Sequence, residues 1–152
     1  MTLLQLDATP TTWLAVSYDV RGGDAKARLR FRWREEAGRL EVGGRTYRVQ
    51  REDPEGTYVL ERRGRRLATA RRPSDFARAF HIDFGGDLWE LHARPMRRRF
   101  KVLHRGRRVA EIEPAAWYKR HARLTAAEGI PEEVGYFLMV MVLLWWRRKR
   151  IA

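Results

Sequence analysis

Apolar and polar residues alternate along most of this chain. Leu29, Phe31 and Trp33 interleave with Arg28, Arg30, Arg32 and Arg34, the period of two expected of a half-buried strand. Trp13 to Val20 supplies a partner strand for it, joined through a Gly22-Gly23-Asp24 turn. Tyr47-Arg48-Val49-Gln50 and Trp89-Glu90-Leu91-His92 alternate in the same way, each after a glycine pair, at 43–44 and 85–86. Arg63-Gly64 and Arg105-Gly106 predict two-residue hairpin loops. Those loops set Leu60 opposite Leu67 and Val102 opposite Val109 on an inner face shared with Tyr58 and Phe100. Arg66 and Arg108 then point outwards. Lys119 to Thr125 adds a further strand, so that ten to twelve strands precede residue 126.

The strands fall into an internal repeat. A shift of 42 positions carries Val42-Gly43-Gly44 onto Phe84-Gly85-Gly86, Tyr47 onto Trp89, Val49 onto Leu91, Tyr58 onto Phe100 and Leu60 onto Val102. The same shift carries Gly64-Arg65-Arg66-Leu67-Ala68 onto Gly106-Arg107-Arg108-Val109-Ala110 without a gap. The copies run over about 40–72 and 82–114.

Beyond them the pattern changes. Pro131-Glu132-Glu133 reads as a helix start, with acids complementing the dipole. Val134 to Trp146 then runs for thirteen residues without a charge, and Arg147-Arg148-Lys149-Arg150 closes a helix expected over about 131–147. A helix apolar on every side must be surrounded by protein or by lipid. Thirteen residues span about 20 Å, short of the roughly 30 Å of a bilayer core. Length favours burial; the paired tryptophans and the basic flank keep a membrane anchor as the alternative. Closing the strands into a barrel removes their unpaired edges, and a barrel of more than eight strands is too wide for its own side chains to fill. The sequence thus predicts one mainly β domain over residues 1–152: a closed antiparallel barrel of about twelve strands enclosing its C-terminal helix.

That combination of Gly-Gly turns, two Arg-Gly-Arg-Arg hairpins and the apolar helix from Val134 to Trp146 resembles the tubby-like fold shared by tubby proteins, LURP-one-related proteins and phospholipid scramblases. The resemblance covers about Leu29 to Arg150 and is one of architecture, not of a diagnostic motif. It implies a twelve-stranded barrel around a hydrophobic helix. It also implies a role at membranes, in phosphoinositide binding or in regulation, with scrambling activity attached to some members by name. The chain lacks a cysteine-rich palmitoylation segment, a proline-rich N-terminal arm and a calcium-binding acidic loop.

Charge narrows the partner. The 152 residues carry 32 Lys and Arg against 19 Asp and Glu, a net charge of +13, and 28 of the cations are arginine. Arginine excess fits GC-rich codon usage, but guanidinium forks also suit bidentate phosphate binding. The absence of cysteine excludes disulfides, thiolate metal sites and a Cys nucleophile. No secretory signal opens the chain, which makes the cytoplasm the expected compartment, with a peripheral place at the membrane. Chemistry is sparse. His81, His92, His104 and His121 lack metal-site spacing apart from His81 with Asp83, two ligands on one strand face. Ser17 and Ser74 lie in no nucleophile elbow, and no phosphate-cradling glycine loop occurs. We therefore expect no catalytic residue, no metal and no cofactor. The anion-binding candidates are Arg62, Arg63, Arg65 and Arg66, then Arg97, Arg98 and Arg99, and finally Arg105, Arg107 and Arg108. A monomer docking on anionic membrane lipid is the expected function. Nucleic acid or a protein partner is the alternative, the inward aromatics favouring lipid over base stacking.

Overall fold

The structure is a computed structural model. It describes residues 5–11, 17–22, 26–54, 56–73, 78–94, 98–114, 121–126 and 130–151, with side chains up to Arg147 in the last segment. The first strands are β1 (Gln5–Pro10), β2 (Ser17–Arg21), β3 (Ala27–Arg32), β4 (Ala37–Val42), β5 (Arg45–Arg51) and β6 (Tyr58–Arg62). The second six are β7 (Arg65–Arg71), β8 (Ala79–Phe84), β9 (Asp87–Ala93), β10 (Phe100–His104), β11 (Arg107–Pro114) and β12 (Ala122–Ala126). Each pairs antiparallel with its neighbours in sequence, and β1 pairs with β12 to close a barrel of twelve strands. At that seam Arg123 donates to Asp7 at 2.7 Å, directly opposite it in register. Of the expected partner strand Trp13 to Val20, the part from Ser17 is β2; residues 13–16, the 23–24 half of the turn and Lys119 lie outside the described residues.

Helix α1 (Glu132–Ile151) follows, longer than the expected stretch ending near residue 147 because the cations at 147–150 continue it. Its first hydrogen bond runs from the Gly135 amide to the Pro131 carbonyl, so proline stands just ahead of the helix, not inside it. From Val134 to Leu144 no side chain is more than 4% exposed. A helix covered on every face, with a closed barrel as the sole other architecture among the described residues, lies inside that barrel. Leu6, Leu29, Leu60, Ile82, Leu91, Ile112 and Leu124 from seven strands join it in one core. Among the described residues no helix is long and apolar enough to cross a membrane.

Up-and-down order sends alternate connections to opposite rims. One rim carries the two-residue turns at 43–44, 63–64, 85–86 and 105–106 together with the β2–β3 connection, and the other carries the remaining loops between strands. The helix starts at the hairpin rim, where the Tyr47 hydroxyl donates to Glu133 at 2.6 Å and Arg45 pairs with Glu133 at 3.6 Å. It ends at the loop rim, where Trp145 meets Phe80 and Phe100 edge-on.

β8, β9 and β10 begin and end 42 residues beyond β4, β5 and β6. Arg63 and Arg105 both take left-handed backbone, φ 53° and 54°, ahead of Gly64 and Gly106 at 76° and 78°. That geometry is the mirror-image turn that matches strand twist, and the barrel holds arginine in it despite the steric cost. Two expectations fail nearby. Leu60 pairs with Ala68, not Leu67, and Val102 with Ala110, not Val109, because each hairpin carries a bulge that inserts one residue into its second strand. Trp33 is not part of β3: the chain turns there into a 3-10 element, Trp33–Glu35, and its ring stacks on Phe31 at 4.1 Å. Arg34 leaves the strand row with it.

Truncating the fully buried Leu138 at the centre of the plug, Leu138→Ala, is expected to cost about 2–5 kcal/mol, read from denaturant unfolding. Tyr47→Phe is expected to cost about 1 kcal/mol. Burial and the Glu133 carboxylate push the Tyr47 hydroxyl above its ordinary value. The folded protein therefore holds that proton more tightly than the unfolded chain. The resulting stability is intact below pH about 10, is lost as pH climbs above it, and is missing from Tyr47→Phe at every pH.

Candidate anion-binding wall

With the inner face consumed by the helix, nearly every charged side chain faces out, and cross-strand register decides what it meets. Asp19 stands opposite Arg28, an ion pair of 3.6 Å. Glu61 stands opposite Arg66 and Lys101 opposite Glu111. Such opposite-sign pairs support a sheet.

The predicted arginines divide between the rims. Arg62, Arg63, Arg65, Arg105 and Arg107 sit at the hairpin rim, whereas Arg98 and Arg99 belong to the loop rim, beside the residues that follow β9. The candidates therefore form no single patch. Several of these residues are engaged. Arg66 is bonded to Glu52, Arg99 pairs with Glu113 at 3.3 Å and Arg108 with Glu111 at 2.9 Å. Arg98 lies over the Trp146 ring at 4.4 Å, beside Arg72 over Trp145 at 5.0 Å and Arg147 over Trp33 at 5.5 Å. These contacts fasten three loops to the end of the helix. Arg105 comes within 3.8 Å of Asp87. Arg97 and Ser74 lie outside the described residues.

Arg62 and Arg63 instead join arginines that the sequence reading passed over. They line a cleft of about 500 Å³ with Arg39, Arg45 and Arg48, in which Glu61 is the lone carboxylate among the described residues. A second cleft of about 450 Å³ adjoins it on the outer wall of β3, β4 and β5. It shares Arg39 and Arg48 and adds Arg30 and Arg32, with Glu35 as its acid. Together they form a basic groove running from the hairpin rim towards the loop rim. Arg30, Arg39 and Arg48 recur every nine residues, and at that height of the wall nine residues separate cross-strand partners on β3, β4 and β5.

The titratable groups elsewhere are occupied by one another. His104 stacks on Trp89 at 3.8 Å and bonds Asp87 through Nε2 at 2.8 Å. His81 and His92 both face Glu90, at 3.7 and 3.4 Å. Asp83, the expected companion of His81, accepts from the Gly86 amide at 2.8 Å and so serves the turn. Among the described residues no three metal-ligating side chains converge.

No family model matches the chain, and no curated protein or solved structure matches it either. A test of the wall's electrostatics does not depend on a relative. Arg30 is exposed and directly opposite Arg39, so Arg30→Gln is expected to raise thermal stability, by a few tenths to about 1 kcal/mol at low ionic strength. The gain should shrink as salt is added, and a melting series with and without salt reads it.

Proposed function

We propose that this chain is a non-catalytic binding module of the tubby-like kind, docking peripherally on anionic phospholipid headgroups at a membrane surface. One observation carries the reading: the groove on β3 to β6 gathers Arg30, Arg32, Arg39, Arg45, Arg48, Arg62 and Arg63, with Glu35 and Glu61 in its lining and Glu41 and Glu133 paired to Arg39 and Arg45. Each cation near an anionic surface contributes about 1 kcal/mol within a Debye length. Guanidinium groups, always charged and fork-shaped, suit phosphate oxygens better than ammonium groups do.

Further observations support it. The outward strand positions carry Arg, Asp, Glu and His, so the wall fits contact with headgroups and not immersion in hydrocarbon. Among the described residues Leu88 is the lone exposed large hydrophobic side chain, at 64%, so the groove offers no aromatic platform of the kind single-stranded nucleic acid stacks upon. His104 with Asp87, and His81 and His92 with Glu90, are occupied as pairs on the wall, which supports a binding role.

Sedimentation with vesicles tests this. Binding to phosphatidylcholine vesicles carrying an acidic lipid, absent with phosphatidylcholine alone and weakening as salt rises, is the expected outcome. A parallel salt series on duplex DNA and on RNA gives the alternative its chance. Tighter binding there, or no binding to acidic vesicles at physiological salt, would remove the lipid assignment.

A further inference from the structure

Within the groove, three arginines stand abreast. Arg30 of β3 is directly opposite Arg39 of β4, and Arg39 is directly opposite Arg48 of β5. All three face outwards and are exposed. Adjacent strands lie about 4.8 Å apart, so the row spans about 10 Å. Like charges in direct cross-strand opposition destabilise a sheet, and the acids beside this row are Glu61, opposite Arg48 on β6, and Glu41 next to Arg39. Among the described residues neither Arg30 nor Arg48 has an ion-pair partner, while Arg39 reaches Glu41 at 3.3 Å.

The rest of the wall shows that the fold does not require this. Forty-two residues beyond Arg39 and Arg48, on strands with the same bounds, stand His81 and Glu90, again directly opposite. There the pair has complementary character, with 3.7 Å between Nε2 and Oε1. At that position β9 carries an acid, whereas β5 carries a third cation.

We propose that this row selects a terminal phosphate, a phosphomonoester or the end of a polyphosphate chain, over a phosphodiester. The inference rests on the anionic-headgroup reading and narrows it. A diester offers one charge and two free oxygens, which a single guanidinium fork satisfies. A monoester offers a charge of about −1.5 to −2 and three oxygens, which only converging forks can use in full. Three arginines abreast supply such convergence, and the ligand's second charge offsets their mutual repulsion. The pH dependence belongs to the ligand. Binding strengthens as pH rises through about 6, where the monoester's second proton leaves.

The test uses the full chain and phosphatidylcholine vesicles containing either phosphatidic acid, a monoester, or phosphatidylserine, a diester, matched for total charge. The expected result is binding about tenfold tighter to phosphatidic acid, with tripolyphosphate displacing the protein. Arg39→Gln should lose that preference and bind both vesicles at the phosphatidylserine level. Arg71→Gln, an exposed change on β7 away from the groove, should keep it. Circular dichroism melting controls for folding: Arg39→Gln should melt at or above the wild-type temperature, and Arg48→Gln replaces it if it does not fold. Equal binding to the two vesicles, or an equal loss on both from Arg39→Gln, would overturn the terminal-phosphate assignment while leaving anionic-surface binding standing. No binding to either vesicle, with tripolyphosphate still bound in an Arg39-dependent way, would uphold the row as a soluble-phosphate site and overturn the membrane reading. No binding of any of the three would overturn both.

Discussion

The architecture depends on a mutual need for cover. A wall of twelve strands encloses more space than its own inward side chains can fill, and a helix apolar on all sides cannot face water. Each resolves the other's deficit, and neither is expected to persist alone. Because the inner face is committed to Val134 through Leu144, polar residues have almost nowhere to go but outward. The hydrophobic constraint inside thus makes the exterior the place where charge is free to be arranged for a purpose.

The helix is held at its ends by different chemistry. At its start an acid of the first turn meets a tyrosine hydroxyl and an arginine from β5. At its finish three arginines from separate parts of the chain lie over tryptophan rings. Acids at the positive end of the dipole and cations at the negative end follow the usual preference. The ring contacts add that guanidinium carbon stems and faces seal an apolar mouth while their charge stays near solvent.

Much of this was legible from residue order. Period-two alternation located Tyr47 and Val49, or Trp89 and Leu91, on the inner face because a one-residue slip would have exposed them. The uncharged run from Val134 to Trp146 announced a covered helix. Local exceptions were not legible. Trp33 continues the alternation of β3, yet the chain turns before it, since stacking on Phe31 and lying under Arg147 are tertiary contacts. The bulges that shift Leu60 to Ala68 and Val102 to Ala110 leave no compositional mark. The groove was missed for a related reason. Runs such as Arg62 to Arg66 draw the eye along the chain, but a strand sends neighbours to opposite faces, and the residues that share a surface come from different strands. Only register brings Arg30, Arg39 and Arg48 side by side.

The seam between the first and last strands carries a consequence for biosynthesis. Leu6 finds its partner in Leu124, so at ribosomal rates of about 5–20 residues per second the amino-terminal strand waits roughly 6–24 seconds before its ladder with β12 can exist. The stopper is made later still. Throughout that interval the nascent chain is an open meander with one greasy side and two unpaired borders, a template for sticking to other strands. Its dense, one-sided coat of arginine then acts as a guard, because growing chains that carry the same strong charge repel one another until the cylinder can shut.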